Sequence, residues 1–453
     1  VTATISARRQ RLALIALCLP FFIVQLDATV VNVAVEAIRR DLGGGLGGEQ
    51  WVIASYTIAL AAGMLTAGSL GDRYGSRRVC VLGTVVFGVG SALCSLAPTL
   101  PVLIVARTLQ GVGAAALLPC SLALIIRQFP EPRARAHALG LWGGIAAIGL
   151  ATGPVAGGVL IALADWRAIF WINIPFAALA IVLTCRYVVE SPQRRDRRLD
   201  PYGLVLGTVA LCALAGGLIQ VGRSGWAYPL IGAGVLTGLA FVLVERRRRD
   251  PMLPLAIFSS RPFSAASTAG LLFNFCLYGA LLCLSLFLQG PLHQSAYATG
   301  MLTLPLTIAI GIGATASGRL TARFGARVPM LAGFSLAGLG AVLLAAAGSL
   351  PLLVAGGIVL CCCSIAMPAM TSVAMSTPPE EHTGLASGVL NTARQTGGAL
   401  GTAVLGTLLT AGSTMSLSLP MTVVALGYAA AVGCTLLATR RRPLVSSAAP
   451  ERR

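Results

Sequence analysis

The sequence predicts an all-α polytopic membrane protein with fourteen transmembrane helices arranged as 6 + 2 + 6 and both termini cytoplasmic. Three observations carry that expectation. Hydrophobic residues make up 56% of the 453 positions and charged residues only 11%, against about 25% charged in soluble domains. Basic residues concentrate in alternate loops. A short basic turn also occurs twice, 250 positions apart.

Apolar runs of roughly 20 residues, the length that crosses a ~30 Å hydrocarbon core, recur along nearly the whole chain. Read against turn signals, they place helices near 12–37, 51–71, 79–97, 101–126, 138–162, 168–189, 202–221, 228–245, 264–288, 298–318, 328–348, 351–375, 384–411 and 420–439. The first run is too long for a removable signal peptide and lacks its small-residue cleavage site.

The repeated turn is Gly68-Ser-Leu-Gly-Asp-Arg-Tyr-Gly-Ser-Arg-Arg78 and Gly318-Arg-Leu-Thr-Ala-Arg-Phe-Gly-Ala-Arg327. Gly68, Leu70, Arg73, Gly75 and Arg77 align with Gly318, Leu320, Arg323, Gly325 and Arg327, while Ala322 stands opposite Asp72. A duplicated turn implies a duplicated bundle, the architecture of secondary transporters. The turn follows helix 2 and then helix 10, a shift of eight, so helices 7 and 8 read as an insertion between six-helix halves. Residues 1–190 form the first bundle, 191–262 the inserted pair with its basic linkers, 263–440 the second bundle and 441–453 a tail. The pair carries no membrane-embedded charge and is expected to lie at the lipid-facing periphery.

The net charge of +18 comes from 33 arginines and no lysine. Of these, 27 lie in one set of alternate segments, four in the opposite set and two inside helices. That bias is the positive-inside rule and puts both ends in the cytoplasm. Arg246–Arg249 and similar clusters are expected to meet anionic lipid headgroups rather than nucleic acid. The twelve cysteines all fall within or at the ends of apolar runs without CxxC spacing, which favours packing over disulfides or metal.

Helix 1 holds the first misplaced charge, in Gln25-Leu-Asp27-Ala-Thr29-Val-Val-Asn32. A carboxylate at the bilayer centre costs about 2.5–3.5 kcal/mol on insertion scales, so Asp27 must face protein or water. Gln25, Thr29, Asn32 and Glu36 share one stripe, with Asp27 roughly opposite. Two arrangements fit: Asp27 faces the substrate path while the stripe packs on neighbours, or the reverse.

Helix 4 carries Arg107-Thr-Leu-Gln110-Gly111-Val-Gly113. Arg107 lies ~9 Å and Asp27 ~15 Å from the outer side. A long side chain spans that offset, and each buried charge needs a partner, so an Arg107–Asp27 pair, direct or through water, is expected. Snorkelling of Arg107 toward the outer surface is the alternative. In helix 5, Gly149, Gly153 and Gly157 fall on one face beside Pro154 and Gly158, the pattern of a close, bent helix contact.

Helix 13 holds Asn391-Thr-Ala-Arg394-Gln395. Arg394 lies ~15 Å deep with no deep acid in its half, leaving carbonyls, Asn391, Gln395, water or a substrate group as partners. Without lysine there is no GxxxxGK[ST] phosphate loop, and neither HExxH nor GxSxG occurs. An enzyme, a bound metal and a cofactor are therefore not expected.

In these motifs the chain resembles the fourteen-helix drug:proton antiporters of the major facilitator superfamily. The loop signature is carried by Gly68, Leu70, Asp72, Arg73, Gly75, Arg77 and Arg78, and the helix 1 signature by Asp27, Thr29 and Asn32. Arg107, Gln110, Gly111 and Gly113 match helix 4, and Gly149, Gly153, Pro154, Gly157 and Gly158 match the exporters' helix 5. Glu36 stands where the family usually has proline, Ser76 where it has a basic residue, and the extra second-half acids of dication exporters are missing.

The resemblance implies two halves rocking about a cavity lined by Gln25, Thr29, Asn32, Gln110, Asn391, Arg394 and Gln395. It implies Asp27 and Arg107 as the proton-coupling pair, with the proton as coupling ion. It implies a latch at Gly68, Asp72, Arg73, Gly75, Arg77 and Arg78, its carboxylate set on a helix N-terminus or an arginine across the halves. The expected activity is export of an amphipathic or lipophilic small molecule across the bacterial cytoplasmic membrane by a monomer. Proton-coupled uptake and a non-transporting membrane sensor are the alternatives.

Overall fold

The computed structural model describes residues 7–190, 200–221, 224–248, 255–375, 383–410 and 415–439. The elements are α1 (Ala7–Leu42), α2 (Gly45–Tyr74), α3 (Ser76–Ser95), α4 (Leu100–Gln128), α5 (Pro132–Leu163), α6 (Ala168–Trp171) and α7 (Asn173–Tyr187). They continue with α8 (Pro201–Gln220), α9 (Ala227–Arg247), α10 (Arg261–Gln289), α11 (Ala296–Phe324) and α12 (Arg327–Ala345). The last are α13 (Leu350–Cys361), α14 (Ala366–Met375), α15 (Thr383–Leu409) and α16 (Ser418–Ala438). The described residues are helical throughout, apart from turns. The tail 441–453 and most of the linker 191–200 fall outside them.

Every apolar segment read from the sequence lies on helix. The sixth is broken into α6 and α7, and the twelfth into α13 and α14 around a 3-10 turn at Cys362–Ile365. Among the described residues, twelve helical spans are long and apolar enough to cross a membrane, or thirteen with α2, which bends by 47° near Leu65. α15 is not one of them; Asn391, Thr392, Arg394, Gln395 and Thr396 interrupt its apolar character.

α1 packs along α5 and α7, α3 along α4 and α7, and α2 along α4. Further down the chain α10 packs along α15 and α16, and α12 along α13 and α16. The two groups meet through α5 on α11 and α2 on α15. The repeated turn has the same backbone device in both places. Gly75 closes α2 at φ 100° and Gly325 closes α11 at φ 74°, values that side chains rarely adopt, so each chain reverses within a residue or two.

Glycines let the backbones of α1 and α5 approach. A Cβ at Gly149 would stand 2.6 Å from the Phe22 carbonyl oxygen, and one at Gly157 3.0 Å from that of Val30. Gly158 turns instead to α11, where a Cβ would lie 3.0 Å from the Ala296 carbonyl oxygen and 3.1 Å from Tyr297 Cα. Beside it, Gly300 faces the Pro154 carbonyl. The Ser285 hydroxyl of α10 donates to the Asn32 carbonyl of α1 at 2.7 Å. These contacts close the end of the bundle that holds the α1–α2 and α10–α11 turns. Toward the other end, around Gly143, Gly144, Gly311 and Gly318, a Cβ would meet nothing within 4 Å. The two groups of helices part toward the arginine-rich turns.

Both inserted helices present apolar side chains outward, and one face of α8 is covered as well. α9 exposes Val235, Leu236, Leu239 and Leu243, as a lipid-facing helix would. α8 exposes Val205 and Val209 in the same way, but its other face is covered: Ala215 and Ile219 are fully buried in one apolar cluster with Ala54 and Ile58 of α2 and Ala399 and Ala403 of α15. The Thr407 hydroxyl also donates to the Leu218 carbonyl at 3.0 Å. α8 therefore lies across the seam where α2 meets α15.

Candidate functional site

α1 places Asp27 at the middle of its 36 residues, fully buried. Its side chain points into the group formed by α3, α4 and α7. Asp27 Oδ2 accepts from Arg107 Nη1 at 2.6 Å. Oδ1 accepts from Gln110 Nε2 at 2.8 Å and from Asn173 Nδ2 at 2.9 Å. Arg107 and Gln110 stand three apart on one face of α4, and Gln110 Oε1 takes a second bond from Arg107 Nη1 at 2.7 Å. Asn173 arrives from the start of α7, just after the break from α6.

A second layer fixes these groups. The Ser91 hydroxyl on α3 accepts from Asn173 at 3.0 Å and Gln110 at 3.3 Å while donating to the Phe170 carbonyl at 2.9 Å. Arg107 Nε donates to the Val52 carbonyl of α2 at 3.1 Å, and its guanidinium lies 4.2 Å from the Tyr56 ring centroid. The carboxylate thus meets one cation and two amide donors, a network with its charge balanced and both oxygens engaged.

A narrow cavity lies between the two groups of helices, walled by Gln25, Tyr56, Thr57, Arg107, Tyr278 and Gln395 among others. It has room for about one or two waters in this conformation. Arg107 is shared: one side of its guanidinium holds Asp27, and the side chain forms part of the cavity wall. Asp27 itself is not on that wall.

The helix 1 stripe divides. Gln25 reaches the cavity. The Thr29 hydroxyl bonds the Leu150 carbonyl at 3.2 Å and packs where α5 has Gly153. Asn32 is buried, its carbonyl taken by Ser285. Glu36 binds Arg39 at 2.6 Å and Arg40 at 3.0 Å near the end of α1. Of the expected cavity residues, Gln25 and Gln395 are among the described lining. Thr29, Asn32 and Gln110 are committed to helix contacts or to the Asp27 network, and Asn391 and Arg394 lie on α15 outside this pocket.

At the loop motif, Gly68 faces Pro119, and the α3 N-terminus begins directly after Gly75. The carboxylate on its open N–H groups belongs to Glu190. It accepts from the backbone of Arg77 at 2.8 Å and Arg78 at 3.2 Å, with both guanidiniums 3.8 Å away. Glu190 comes from the same half as the turn, and an anion there suits the helix dipole. Arg77 also donates to the Val188 carbonyl at 3.0 Å. Asp72 and Arg73 sit half-buried on the last turn of α2, with Arg73 over the Tyr74 ring.

Sequence reasoning passed over Asn173, Ser91, Tyr56 and Glu190. Asn173 had a signal, as a strongly polar side chain inside the apolar run that starts at Ala168.

Helix bundles meeting around a cleft closed at one end, with the arginine of a buried ion pair on its wall, define a polytopic membrane protein of the transporter class. The chain belongs to the Major Facilitator Superfamily, whose model matches residues 17–201 and 202–402. It is 39% identical over 411 residues to the multidrug resistance protein Stp of Mycobacterium tuberculosis, covering 89% of this chain and 76% of that one. It is 36% identical to the methylenomycin A resistance protein of Bacillus subtilis, covering 87% of both. It is 35% identical to the tetracenomycin C resistance and export protein of Streptomyces glaucescens, covering 87% and 75%. Among solved structures, a POT family transporter superposes with a TM-score of 0.71 at 15% identity over 95% of each chain. The xylose transporter XylE of E. coli, in a partially occluded inward-open conformation, gives 0.66 at 13% identity over 94% and 97%.

Proposed function

We propose that this protein exports amphipathic or lipophilic small molecules, such as drugs, antibiotics or secondary metabolites, in exchange for protons. It works by alternating access in the bacterial cytoplasmic membrane. Its halves, residues 1–190 and 263–440, provide six spans each and the inserted pair two more, with both chain ends cytoplasmic. The names of the relatives support drug export. The observation that carries proton coupling is the Asp27–Arg107 pair, buried at 2.6 Å yet joined to the cavity wall through Arg107.

The open end of the cleft lies on the arginine-rich side, so this conformation faces the cytoplasm under the positive-inside rule. Here Arg107 stands between Asp27 and the cavity, and the neutral pair holds α1 on α4. In the outward-facing conformation Arg107 leaves the carboxylate and Asp27 takes a proton from outside. Return to the inward-facing state restores the ion pair and releases the proton to the cytoplasm. A membrane potential contributes about 2.3 kcal/mol per charge per 100 mV, enough for one proton to drive a substantial substrate gradient.

The test is transport of a fluorescent amphipathic dye in proteoliposomes under an imposed pH gradient. Asp27→Asn, less stable than wild type because it leaves buried Arg107 without its anion but still folded, should bind dye and show no gradient-driven flux. Wild-type flux in that variant overturns the coupling role.

A further inference from the structure

Arg394 is the one arginine that α15 carries, and about 16 Å of helix separate it from Thr383. It lies on the face that continues through Gln395, Gly398 and Thr402, all three of which wall the cavity. The stem is held in place by α10. Arg394 Cγ would be 3.0 Å from a Cβ at Gly270, and the guanidinium carbon is 5.7 Å from the Phe273 ring centroid. The side chain is partly exposed, with Nε buried and without a hydrogen-bond partner. Among the described residues, no carboxylate pairs with it. Between 263 and 440 the sequence offers only Glu380 and Glu381 as acids, and both precede α15.

The neighbouring polar groups do not fill that role. Gln395 Oε1 is taken by Asn274 Nδ2 at 3.0 Å, and the nearby phenol of Tyr278 is a weak partner for a cation while it is neutral. Asp27, the deep acid of the first half, is saturated by Arg107, Gln110 and Asn173. With the Asp27–Arg107 pair neutral, the cleft carries one uncompensated positive charge. A guanidinium is a planar fork of donors matched to carboxylate-like oxygens, and burial raises the worth of such a pair.

We propose that Arg394 binds the anionic group of the transported molecule, so that the preferred substrates are amphipathic acids carrying a carboxylate. The proposal rests on the export reading above. It specifies the charge of the substrate, which that reading leaves open.

The probe pair is fluorescein and its methyl ester, which removes the carboxylate and keeps the ring system. Binding is measured by fluorescence anisotropy to the full chain in phosphatidylcholine nanodiscs at pH 7.5. Wild type should bind fluorescein about tenfold more tightly than the ester. Arg394→Gln should erase that difference with ester affinity unchanged, and Arg394→Lys should keep part of it. Equal affinities in wild type, no fluorescein binding at all, or an equal loss for both probes in Arg394→Gln overturns the proposal. Repeating the titration with phosphatidylglycerol separates two sources of anion. Unchanged fluorescein affinity supports a substrate site, whereas displacement by the lipid assigns Arg394 to a headgroup and overturns it. Gradient-driven flux in wild type that Asp27→Asn abolishes leaves the export reading standing even if Arg394→Gln changes nothing. Loss of fluorescein preference in Arg394→Gln stands even if Asp27→Asn transports normally.

Discussion

Asp27 Oδ2 and Arg107 Nη1 lie 2.6 Å apart with their side chains 0% and 1% exposed, joining α1 to α4 across 80 positions of sequence. Each group alone would be a stranded charge. Together, with Gln110 and Asn173 taking the second carboxylate oxygen, they form a neutral unit that the apolar interior tolerates. The pair is therefore both a fastening between helices and a point where a proton changes the charge balance beside the cavity.

Breaking the fastening from one side is more damaging than removing it altogether. Arg107→Gln should destabilise the protein by about 3–5 kcal/mol at high pH, because it leaves the Asp27 carboxylate buried without a cation. Adding Asp27→Asn should recover much of that loss, since two amides can bond one another. Thermal unfolding in detergent, followed by circular dichroism, checks the order: single variant lowest, double variant intermediate. Transport should be absent in both. A double variant no more stable than Arg107→Gln would remove the ion-pair account of this contact.

The two copies of the repeated turn should respond differently to the same change. Gly75→Ala meets two obstacles, a backbone at φ 100° and the Glu190 carboxylate 2.7 Å from the new Cβ. Gly325→Ala meets only the backbone cost, because nothing lies within 4 Å, and at φ 74°, ψ 169° that cost is about 1–3 kcal/mol. Gly75→Ala should lower the melting temperature more than Gly325→Ala, and Glu190→Ala should narrow the gap. Equal shifts in the two glycine variants would mean that Glu190 does not crowd Gly75.

What could be read in the sequence follows from how rare a residue type is in fat. Asp27, Arg107 and Arg394 stand out because charge in an apolar run is costly, and their depths came from a simple rise per residue. Asn173 and Ser91 escaped because small polar residues are common in membrane helices, so nothing marks the ones that bond an acid. The direction of the Gln25–Asn32 stripe stayed open for a different reason. A helical wheel fixes angles about the axis but does not say which neighbour occupies each angle, and only the packing of α5 on Thr29 and α10 on Asn32 settles it. The covered face of α8 is not legible, because the Ala and Gly around Ala215 give it no distinct stripe. Glu190 was hidden by its position at the edge of an arginine-rich linker, where an acid reads as ordinary loop charge.

Closure of the end opposite the arginine-rich turns rests on bare backbone at Gly158 and Gly300, and side chains there should force it apart. Gly158→Val places methyl groups where the Ala296 carbonyl lies 3.0 Å from a Cβ. In a background with all twelve cysteines replaced, Ser285→Cys should be nearly unreactive to a membrane-impermeant maleimide, since Ser285 is 3% exposed. Adding Gly158→Val should raise labelling several-fold by favouring the alternate conformation. Labelling that stays at the starting level would show that α5 and α11 tolerate the bulk without parting.

Adjacent glycines on α8 separate its two duties. A Cβ at Gly216 would stand 3.0 Å from Trp51 Cζ2 on α2, whereas one at Gly217 would meet Ile231 of α9 at 2.7 Å. Overpacking either contact costs about 1–3 kcal/mol, so Gly216→Val and Gly217→Val should lower the melting temperature by similar amounts. Their effect on transport should differ. Gly216→Val pushes α8 off the seam between α2 and α15, which the halves must move across in each cycle, while Gly217→Val disturbs only the outer partner. Per folded molecule, dye flux should fall in Gly216→Val and stay near wild type in Gly217→Val. Matching flux in the two variants would make α8 a passenger on the bundle, because its position on the seam would then have no bearing on the motion of the halves.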